Sequence, residues 1–339
     1  MATNQRGDVA DQGTDPHSDQ QGDDEGSVDG DEEDVDPDLL GVLQCDDDDE
    51  GDQDADDPGA PVGLFALLGH GRFILEWADV SEAMYDEIGR SYSTSRRGDP
   101  KIAAQIEKAL GDADSILNVG AGSGSYEPAG RQVTAVEPSG EMIAQRPGEA
   151  APVVQASAER LPFPDDSFDA AMAIFSDHHW ADRQAGLAEM LRVARRRVLL
   201  LNVDPSLTPR FWLTRDYLSG FAGLIPGQYR YPGFWTEELR LLLGELEVHP
   251  VPVPHDCRDG FYQAYWRRPH AYLEQQVRDG ISVFHRLPEA EVSGAVERLR
   301  RDLDDGSWAK RYADLSGKPE LDIGLRLVVA ELDQGAVSR

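Results

Sequence analysis

The chain has 339 residues, a formal net charge of −32 and 40% hydrophobic residues. Two cysteines are too few for a disulfide framework or a cysteine metal site, so we expect a reducing, cytoplasmic location. No basic segment followed by an apolar core opens the chain, and no apolar run reaches roughly 18 residues, so the sequence predicts neither a signal peptide nor a membrane span.

Most of the charge lies in the first 60 residues. They contain 23 acidic residues against one arginine, a local net charge of −22. Few aromatic or branched apolar residues interrupt runs such as "DGDEEDVDPDLL", so this segment cannot bury enough apolar area to offset its chain entropy. We therefore predict a disordered acidic tail over 1–60, which either solvates the protein or recruits a basic partner. Residues 61–83 are apolar but interrupted by glycines, and we treat them as a linker or extension of unclear structure.

Strands and helices alternate between residues 100 and 203. The stretch "PKIAAQIEKAL" places apolar residues at positions i, i+4 and i+8 behind a proline, which predicts a helix over 100–110. Apolar runs predict strands, and the segments between them predict helices: strands at 115–119, 132–137, 152–155, 168–174 and 197–203, and helices at about 139–145 and 181–194. This alternation predicts an α/β fold with a mostly parallel sheet that helices cover on both faces.

The alternation ends after residue 203. An aromatic segment broken by proline and glycine predicts helices and loops over the carboxyl edge of the sheet, ending in a helix over 236–245. A strand near 246–253, a helical insertion over 259–316 and a final strand over 321–331 complete the predicted order.

A glycine-rich turn, "NVGAGSGS", follows the first predicted strand. Glycine allows a positive φ and removes the Cβ atoms that would block a ligand lying on the backbone. A dinucleotide fingerprint would need glycine where the chain has Ser125 or Glu127, and no P-loop Gly-Lys follows, so the pattern points away from NAD. Glu137, at the end of the next strand, is placed to accept hydrogen bonds from both hydroxyls of a ribose.

Four stretches together resemble the class I S-adenosylmethionine-dependent methyltransferases, in particular those that act on small molecules: "ILNVGAGSG", "VTAVEPSGEMI", "ASAERLPFPDDSFDAAMA" and "RVLLLNV". The resemblance implies a Rossmann-like, doubly wound sheet of seven strands with an antiparallel last strand and a helical lid. It also implies S-adenosyl-L-methionine as the cofactor and a domain over 84–339, with a cofactor-binding half over 84–204 and a lid and substrate region over 205–320. Two alternatives stand for residues 1–83: they are a dispensable extension of the protein, or the start of translation has been assigned too far upstream.

The resemblance also assigns cofactor contacts to four parts of the chain. They are the glycine-rich turn, the end of the second strand, the turn after the third strand and two tyrosines near the start of the domain: Asn118, Gly120, Ala121, Gly122, Gly124, Glu137, Pro138, Ser139, Met142, Ser157, Ala158, Glu159, Tyr85 and Tyr92. The turn would contact the amino acid part of the cofactor, Glu137 its ribose and the later residues its adenine side, while the tyrosines close over it. Ser157 and Asn118 depart from the family, which often has acidic residues at these two positions.

Two adjacent histidines follow the fourth strand in "IFSDHHWAD". The loop after this strand lies beside the sulfonium in the family, so His178 and His179 are the candidate general bases. Adjacent side chains seldom face the same way, so we expect only one of them to point inward. In the alternative interpretation one histidine bonds to the backbone and Trp180 packs under the lid. The consecutive residues Asp177, His178 and His179 do not converge on one ion, so no metal site is predicted.

The lid indicates the chemistry of the acceptor. It is rich in aromatic residues: Phe211, Trp212, Tyr217, Phe221, Tyr229, Tyr231, Phe234, Trp235, Phe261, Tyr262, Tyr265 and Trp266. If part of this set lines the pocket, the acceptor is small and partly apolar or aromatic. Four arginines are candidates to meet an acidic group on it: Arg215, Arg230, Arg267 and Arg268.

The functional hypothesis is a methyltransferase that acts on O, N or C of such a molecule. The rest of the chain carries a charge of −10 and no basic stripe, so we expect no nucleic-acid partner. One alternative is an enzyme on the same fold that no longer methylates. The other is a non-catalytic S-adenosylmethionine-binding sensor or interaction protein whose acidic tail recruits a partner.

Overall fold

A seven-stranded β-sheet forms the centre of the computed structural model, which describes residues 96–332. Nine strands lie within these residues, seven of them in this sheet. In chain order they are β1 (Ser115–Val119), β2 (Gln132–Val136), β3 (Val153–Val154), β4 (Phe168–Ile174), β5 (Ala194–Val203), β6 (Leu246–Pro250), β7 (Val253–Pro254), β8 (Glu320–Leu321) and β9 (Leu325–Glu331). Their order across the sheet is β3-β2-β1-β4-β5-β9-β6, and β7 pairs with β8 outside it. Strand β9 runs antiparallel to both of its neighbours, while β1 to β5 are parallel. The predicted sheet with an antiparallel last strand is therefore confirmed.

Ten α-helices accompany the strands within residues 96–332. They are α1 (Pro100–Leu110), α2 (Gly140–Ala144), α3 (Arg183–Val193), α4 (Trp212–Asp216), α5 (Gly220–Leu224), α6 (Phe234–Leu243), α7 (Gln275–Asp279), α8 (Ser282–Arg286), α9 (Glu289–Asp304) and α10 (Ser307–Arg311). Short 3₁₀ segments lie between them, at Asp177–His179, Pro205–Arg210, Gly227–Arg230, Pro269–Leu273 and Ala313–Leu315. In this part of the chain no helix has the length and apolar character needed to cross a membrane.

Alternate residues of the central strands face opposite sides of the sheet. In β5, Leu199 and Leu201 belong to one buried cluster and Val198 and Leu200 to a second. Helix α1 contributes Ile102, Ile106 and Leu110 to the first cluster, and α3 and α6 pack on the second. Strands that are apolar on both faces fit a sheet covered by helices on both sides, as the sequence predicts.

Several predicted boundaries differ from the observed ones. The strand expected over 246–253 ends at Pro250, and pairing resumes in β7 after Pro252, because proline cannot donate a ladder hydrogen bond. The expected insertion over 259–316 begins with turns, and its first helical segment starts at Pro269. The predicted tail over 1–60, the segment 61–83 and the tyrosines Tyr85 and Tyr92 lie outside the described residues.

Candidate active site

The glycine-rich turn leaves β1 at the carboxyl edge of the sheet. The Val136 carbonyl accepts hydrogen bonds from the amides of both Gly120 and Ala121, each at 2.9 Å, which bends the chain sharply after β1. Gly120 has a φ of +68°, and a Cβ there would lie 2.6 Å from the Cβ of Ser176. Ser176 in turn donates from Oγ to the Val119 carbonyl at 2.7 Å. The turn therefore has no room for a side chain at Gly120.

A polar depression lies over this turn. Its lining combines turn residues with groups from other segments: Arg96, Asn118, Gly120, Ala121, Gly122, Ser123, Ser125, Tyr126, Ile174 and Phe175. Backbone without Cβ atoms and a row of small polar side chains can accept a polar ligand against the main chain. The predicted residues Asn118, Gly120, Ala121 and Gly122 are brought together here.

Glu137 lies beside the turn, at the end of β2. Its carboxylate accepts from the Gly122 amide at 2.8 Å and from the Ser139 amide at 3.0 Å, and only 7% of the residue is exposed. Burial is the largest effect on this carboxyl and raises its pKa above the ordinary value. Ser139 caps α2 by accepting from Met142, whose methyl group would lie 3.3 Å from a Cβ on Gly122. The residues at the end of β2 therefore contact the glycine-rich turn at Gly122.

Four other predicted cofactor residues follow β2 and β3. Pro138 and Ser157 are exposed, and Ala158 is buried. Glu159 accepts from the Asp182 amide at 3.2 Å. None of these four is among the lining residues of the depression, and neither are Gly124, Glu137, Ser139 and Met142. The predicted cofactor contacts of these residues stay predictions.

An ion pair that the sequence analysis missed braces the turn. Arg146 donates to Glu127 at 2.6 Å, and both side chains are nearly buried. Arg146 also donates to the Gly122 carbonyl at 3.0 Å, and the Asn118 amide donates to Glu127 at 3.3 Å. Arg146 thus holds the carbonyl group of Gly122, and Glu137 holds the amide group of the same residue. Neither residue stands in a local motif, so the sequence carried no signal for the contact.

Replacing Gly120 with alanine should destabilise the protein more than the same change at Gly130. Both glycines have a positive φ, +68° and +79°, so the backbone strain of an alanine is similar. A Cβ at Gly130 would meet nothing within 4 Å, whereas one at Gly120 collides with Ser176. We expect G120A to lose about 2 kcal/mol more of unfolding free energy than G130A, measured by urea denaturation. Equal losses would show that the turn relaxes without cost.

A second, larger cavity of about 350 Å³ adjoins the depression. Arg96 and Phe175 line both, so the two spaces meet at these residues. The lid supplies most of the apolar lining, including the aromatic residues Phe221, Tyr229, Trp235, Phe261 and Tyr262. Others of the predicted aromatic set are core residues, such as Trp212 and Trp266, or exposed, such as Tyr231.

The arginines at this cavity are not the four that the sequence suggested. Arg215 pairs with Asp216, while Arg230, Arg267 and Arg268 donate to backbone carbonyls. Three other arginines line the cavity instead: Arg96, Arg183 and Arg286. The prediction was wrong because tertiary contacts, which the sequence does not reveal, decide which arginines face inward.

Both predicted histidines line the larger cavity. His178 and His179 lie in the 3₁₀ segment after β4, and their ring centroids are 3.8 Å apart at an interplanar angle of 47°. The expectation that only one would point inward was wrong, because both side chains are among the lining residues of the cavity. Burial lowers the pKa of His178 to about 4. Burial and then the neighbouring His178 lower the pKa of His179 well below its ordinary value. Both rings are therefore neutral at neutral pH.

A chain of polar side chains holds the histidine segment in place. Asp177 is fully buried, and its carboxylate accepts from Asn202 at 2.8 Å and from Arg183 at 2.9 Å. Arg183 also donates to Glu238 on α6 at 2.5 Å, and the Tyr229 hydroxyl donates to the same carboxylate at 2.8 Å. The network connects β5, α3 and the lid around the two rings.

Acidification should destabilise the protein through His178. The folded-state pKa of about 4 lies below the unfolded value, so the unfolded chain binds the proton first as the pH falls. The neutral form of His178 therefore contributes to the free energy of unfolding above about pH 6.5, and this contribution is lost as the pH falls from there to pH 4. Between pH 7 and pH 5 the free energy of unfolding should fall by about 2 kcal/mol. H178Q should remove that part of the pH dependence, measured by urea denaturation at both pH values. The exposed His249, changed to glutamine, serves as the control, and equal pH slopes for the two variants would contradict the prediction.

The comparisons with known proteins agree with this geometry. A family model described as "Methyltransferase domain" matches residues 117–201, which run from β1 to β5 and include the turn, Glu137 and both histidines. A solved structure, of a candidate methyltransferase from an antibiotic biosynthesis pathway of Anabaena variabilis, is 33% identical with a TM-score of 0.64, and the match covers 70% of this chain and 99% of that one.

Two curated relatives match over most of their length. The ubiquinone/menaquinone biosynthesis C-methyltransferase UbiE of Geotalea daltonii is 30% identical, and the match covers 48% of this chain and 76% of the relative. The demethylmenaquinone methyltransferase of Mycobacterium tuberculosis is 30% identical, with coverage of 55% and 85%. Other matches span only 40% and 22% of the relatives concerned.

The fold and the glycine-rich turn are those of a Rossmann-like protein that binds a cofactor with a nucleoside part. The chain belongs to the class I S-adenosylmethionine-dependent methyltransferases, and S-adenosylmethionine is its cofactor. The residues present fit that group, because the backbone of the glycine-rich turn and small polar side chains line the depression and because Glu137 lies buried beside the turn at the end of β2. NAD, which the sequence already disfavoured, is not needed to explain the turn.

Proposed function

We propose that the protein transfers a methyl group from S-adenosylmethionine to an O, N or C atom of a small, partly apolar or aromatic molecule. The observation that carries this proposal is the junction at Arg96 and Phe175, where the polar depression over the glycine-rich turn meets the larger cavity. A cofactor held on one side and an acceptor held on the other would bring their reacting atoms together at this junction.

Each group of residues has a distinct task in the proposed reaction. The backbone of Gly120, Ala121 and Gly122 binds the amino acid part of the cofactor, and Glu137 holds the ribose. When bound, the cofactor supplies an activated methyl group on a sulfonium. The protein then mainly orients the acceptor and excludes water, which is the chief requirement of an in-line displacement. A neutral histidine beside the acceptor can form hydrogen bonds to it or accept a proton from it.

The lining of the cavity favours an aromatic acceptor. Rings from Phe221, Trp235 and Phe261 surround it, and such rings pack well on planar apolar ligands. The names of two relatives refer to quinones, so hydroquinones are the first acceptors to test. Phenols and aromatic amines form the next set.

The test is the transfer of a labelled methyl group from S-adenosylmethionine to these acceptors by the full-length protein. F221A should raise KM for an apolar acceptor roughly tenfold, because losing this contact costs about 1–2 kcal/mol, and should leave cofactor binding unchanged. Y231A is the control, since Tyr231 is 71% exposed and does not line the cavity. Tight cofactor binding without transfer to any acceptor would contradict the proposal and favour a non-catalytic sensor.

A further inference from the structure

The side-chain amide of Asn202 has partners at both of its ends. Its Oδ1 accepts from the Val203 amide at 2.8 Å. Its Nδ2 lies 2.8 Å from the carboxylate of Asp177 and 2.8 Å from Nδ1 of His178. The opposite orientation of the amide would set an NH₂ group against the Val203 N–H and an oxygen against the Asp177 carboxylate. The contacts therefore fix which end of the amide is nitrogen.

This orientation determines the proton positions on His178. An amide nitrogen donates and does not accept, so Nδ1 of His178 must be the acceptor in the contact with Asn202. A neutral imidazole with an unprotonated Nδ1 carries its proton on Nε2. Within residues 96–332 no hydrogen bond of Nε2 is found, and the ring lines the larger cavity. Nε2–H is the group through which His178 can bond to a molecule in that space.

Burial, the largest effect on the ring, opposes a second proton, and the nearby charges act in both directions. His178 is affected by the carboxylate of Asp177, which favours the cation, and by three guanidinium groups, which disfavour it: Arg183, Arg96 and Arg286. The ring of His179 packs against it as well. A proton added at Nδ1 would point at the NH₂ group of Asn202, so the geometry and the cationic neighbours act in the same direction.

We propose that Asn202 is a positioning residue that holds His178 in the Nε2–H tautomer, so that His178 donates a hydrogen bond to the acceptor molecule and is not its general base. This inference rests on the proposed methyl transfer and narrows its substrate. The acceptor carries a lone pair, such as a carbonyl, hydroxyl or phenolate oxygen, within reach of Nε2. An acceptor whose only polar group is an ammonium does not satisfy this donor.

The tautomer can be read without any acceptor. We would record histidine ring correlations by NMR in the full-length protein labelled with ¹⁵N, at pH 7, and assign His178 with H178Q. The expected pattern is protonated Nε2 and unprotonated Nδ1. In N202L, which keeps a similar volume but has no donor, the Nδ1–H form should become populated. A wild-type His178 protonated at Nδ1, or a tautomer that is unchanged in N202L, would overturn the proposal.

The role of the donor is tested by two substitutions at His178. Glutamine can donate from its amide but cannot act as a base, and leucine can do neither. A general base contributes roughly 10²–10⁴ to the rate, so H178Q and H178L should lose that much equally if His178 is the base. We expect H178Q to lose less than about tenfold in kcat/KM and H178L at least tenfold more than H178Q, in keeping with one lost hydrogen bond. Equal losses would overturn the proposed role. A wild type that methylates no acceptor would count against the proposed function, while the NMR result would still decide the tautomer.

Discussion

Replacing Glu137 with glutamine should weaken S-adenosylmethionine binding about a hundredfold and leave the domain folded. Glutamine keeps the shape of the side chain but removes its charge and one of its two acceptor oxygens. A hydrogen bond to a charged group is worth about 1.5–3 kcal/mol, and about 2.8 kcal/mol corresponds to two decades of affinity. Isothermal titration of the full-length protein with the cofactor measures this loss directly.

The matched control for this prediction is Glu149→Gln. Glu149 is an exposed glutamate in the same region of the chain, so the change in net charge is identical. E149Q should bind like wild type. If E137Q also binds like wild type, with unfolding curves that show both proteins folded, then the carboxylate serves only the backbone amides of Gly122 and Ser139. The assignment of the ribose contact would then be wrong.

The central sheet and the cofactor turn could be predicted because their signals are local. Continuous apolar runs such as 168–174 are typical of strands buried on both faces, and β4 spans these same residues. Three glycines within five residues permit a positive φ, and Gly120, Gly122 and Gly124 all have one. In each case the reason for the structure lies within a few neighbouring residues.

The contacts that shape the site could not be predicted in the same way. Arg183 and Glu238 are 55 residues apart, and Arg96 and Asp259 are 163 apart. Charged residues are common on any surface, so nothing in the sequence distinguishes these from exposed ones. The two histidines illustrate the same limit, because their segment is held through Asp177 by Asn202, which lies on a different strand. The sequence thus predicts which kinds of side chain are present, but it does not predict which of them meet at the site.

Asp259 joins the lid to the cofactor side of the domain. The residue is 1% exposed, and its carboxylate accepts from Arg96 at 2.6 Å and from the Tyr126 hydroxyl at 2.9 Å. Arg96 in turn lies over the ring of Phe175, with its guanidinium carbon 5.1 Å from the centroid. Burial, followed by the charge of Asp259, raises the pKa of Tyr126, so the hydroxyl stays a donor. One buried carboxylate therefore holds Arg96 and Tyr126, two of the residues that line the depression.

Replacing Asp259 with leucine should accordingly destabilise the protein by about 3–5 kcal/mol, because it removes one charge from a buried ion pair. Cofactor affinity should also fall, since Arg96 and Tyr126 lose the carboxylate that positions them. Urea denaturation and cofactor titration of the same sample separate the two effects. D256L is the control, because Asp256 is only three residues away and forms a 3.8 Å pair with Lys101 in which both side chains are exposed. Surface pairs contribute little to stability, so D256L should unfold like wild type. If D259L unfolds like D256L, the buried pair does not hold the lid to the cofactor side, and the junction at Arg96 must be fixed by other contacts.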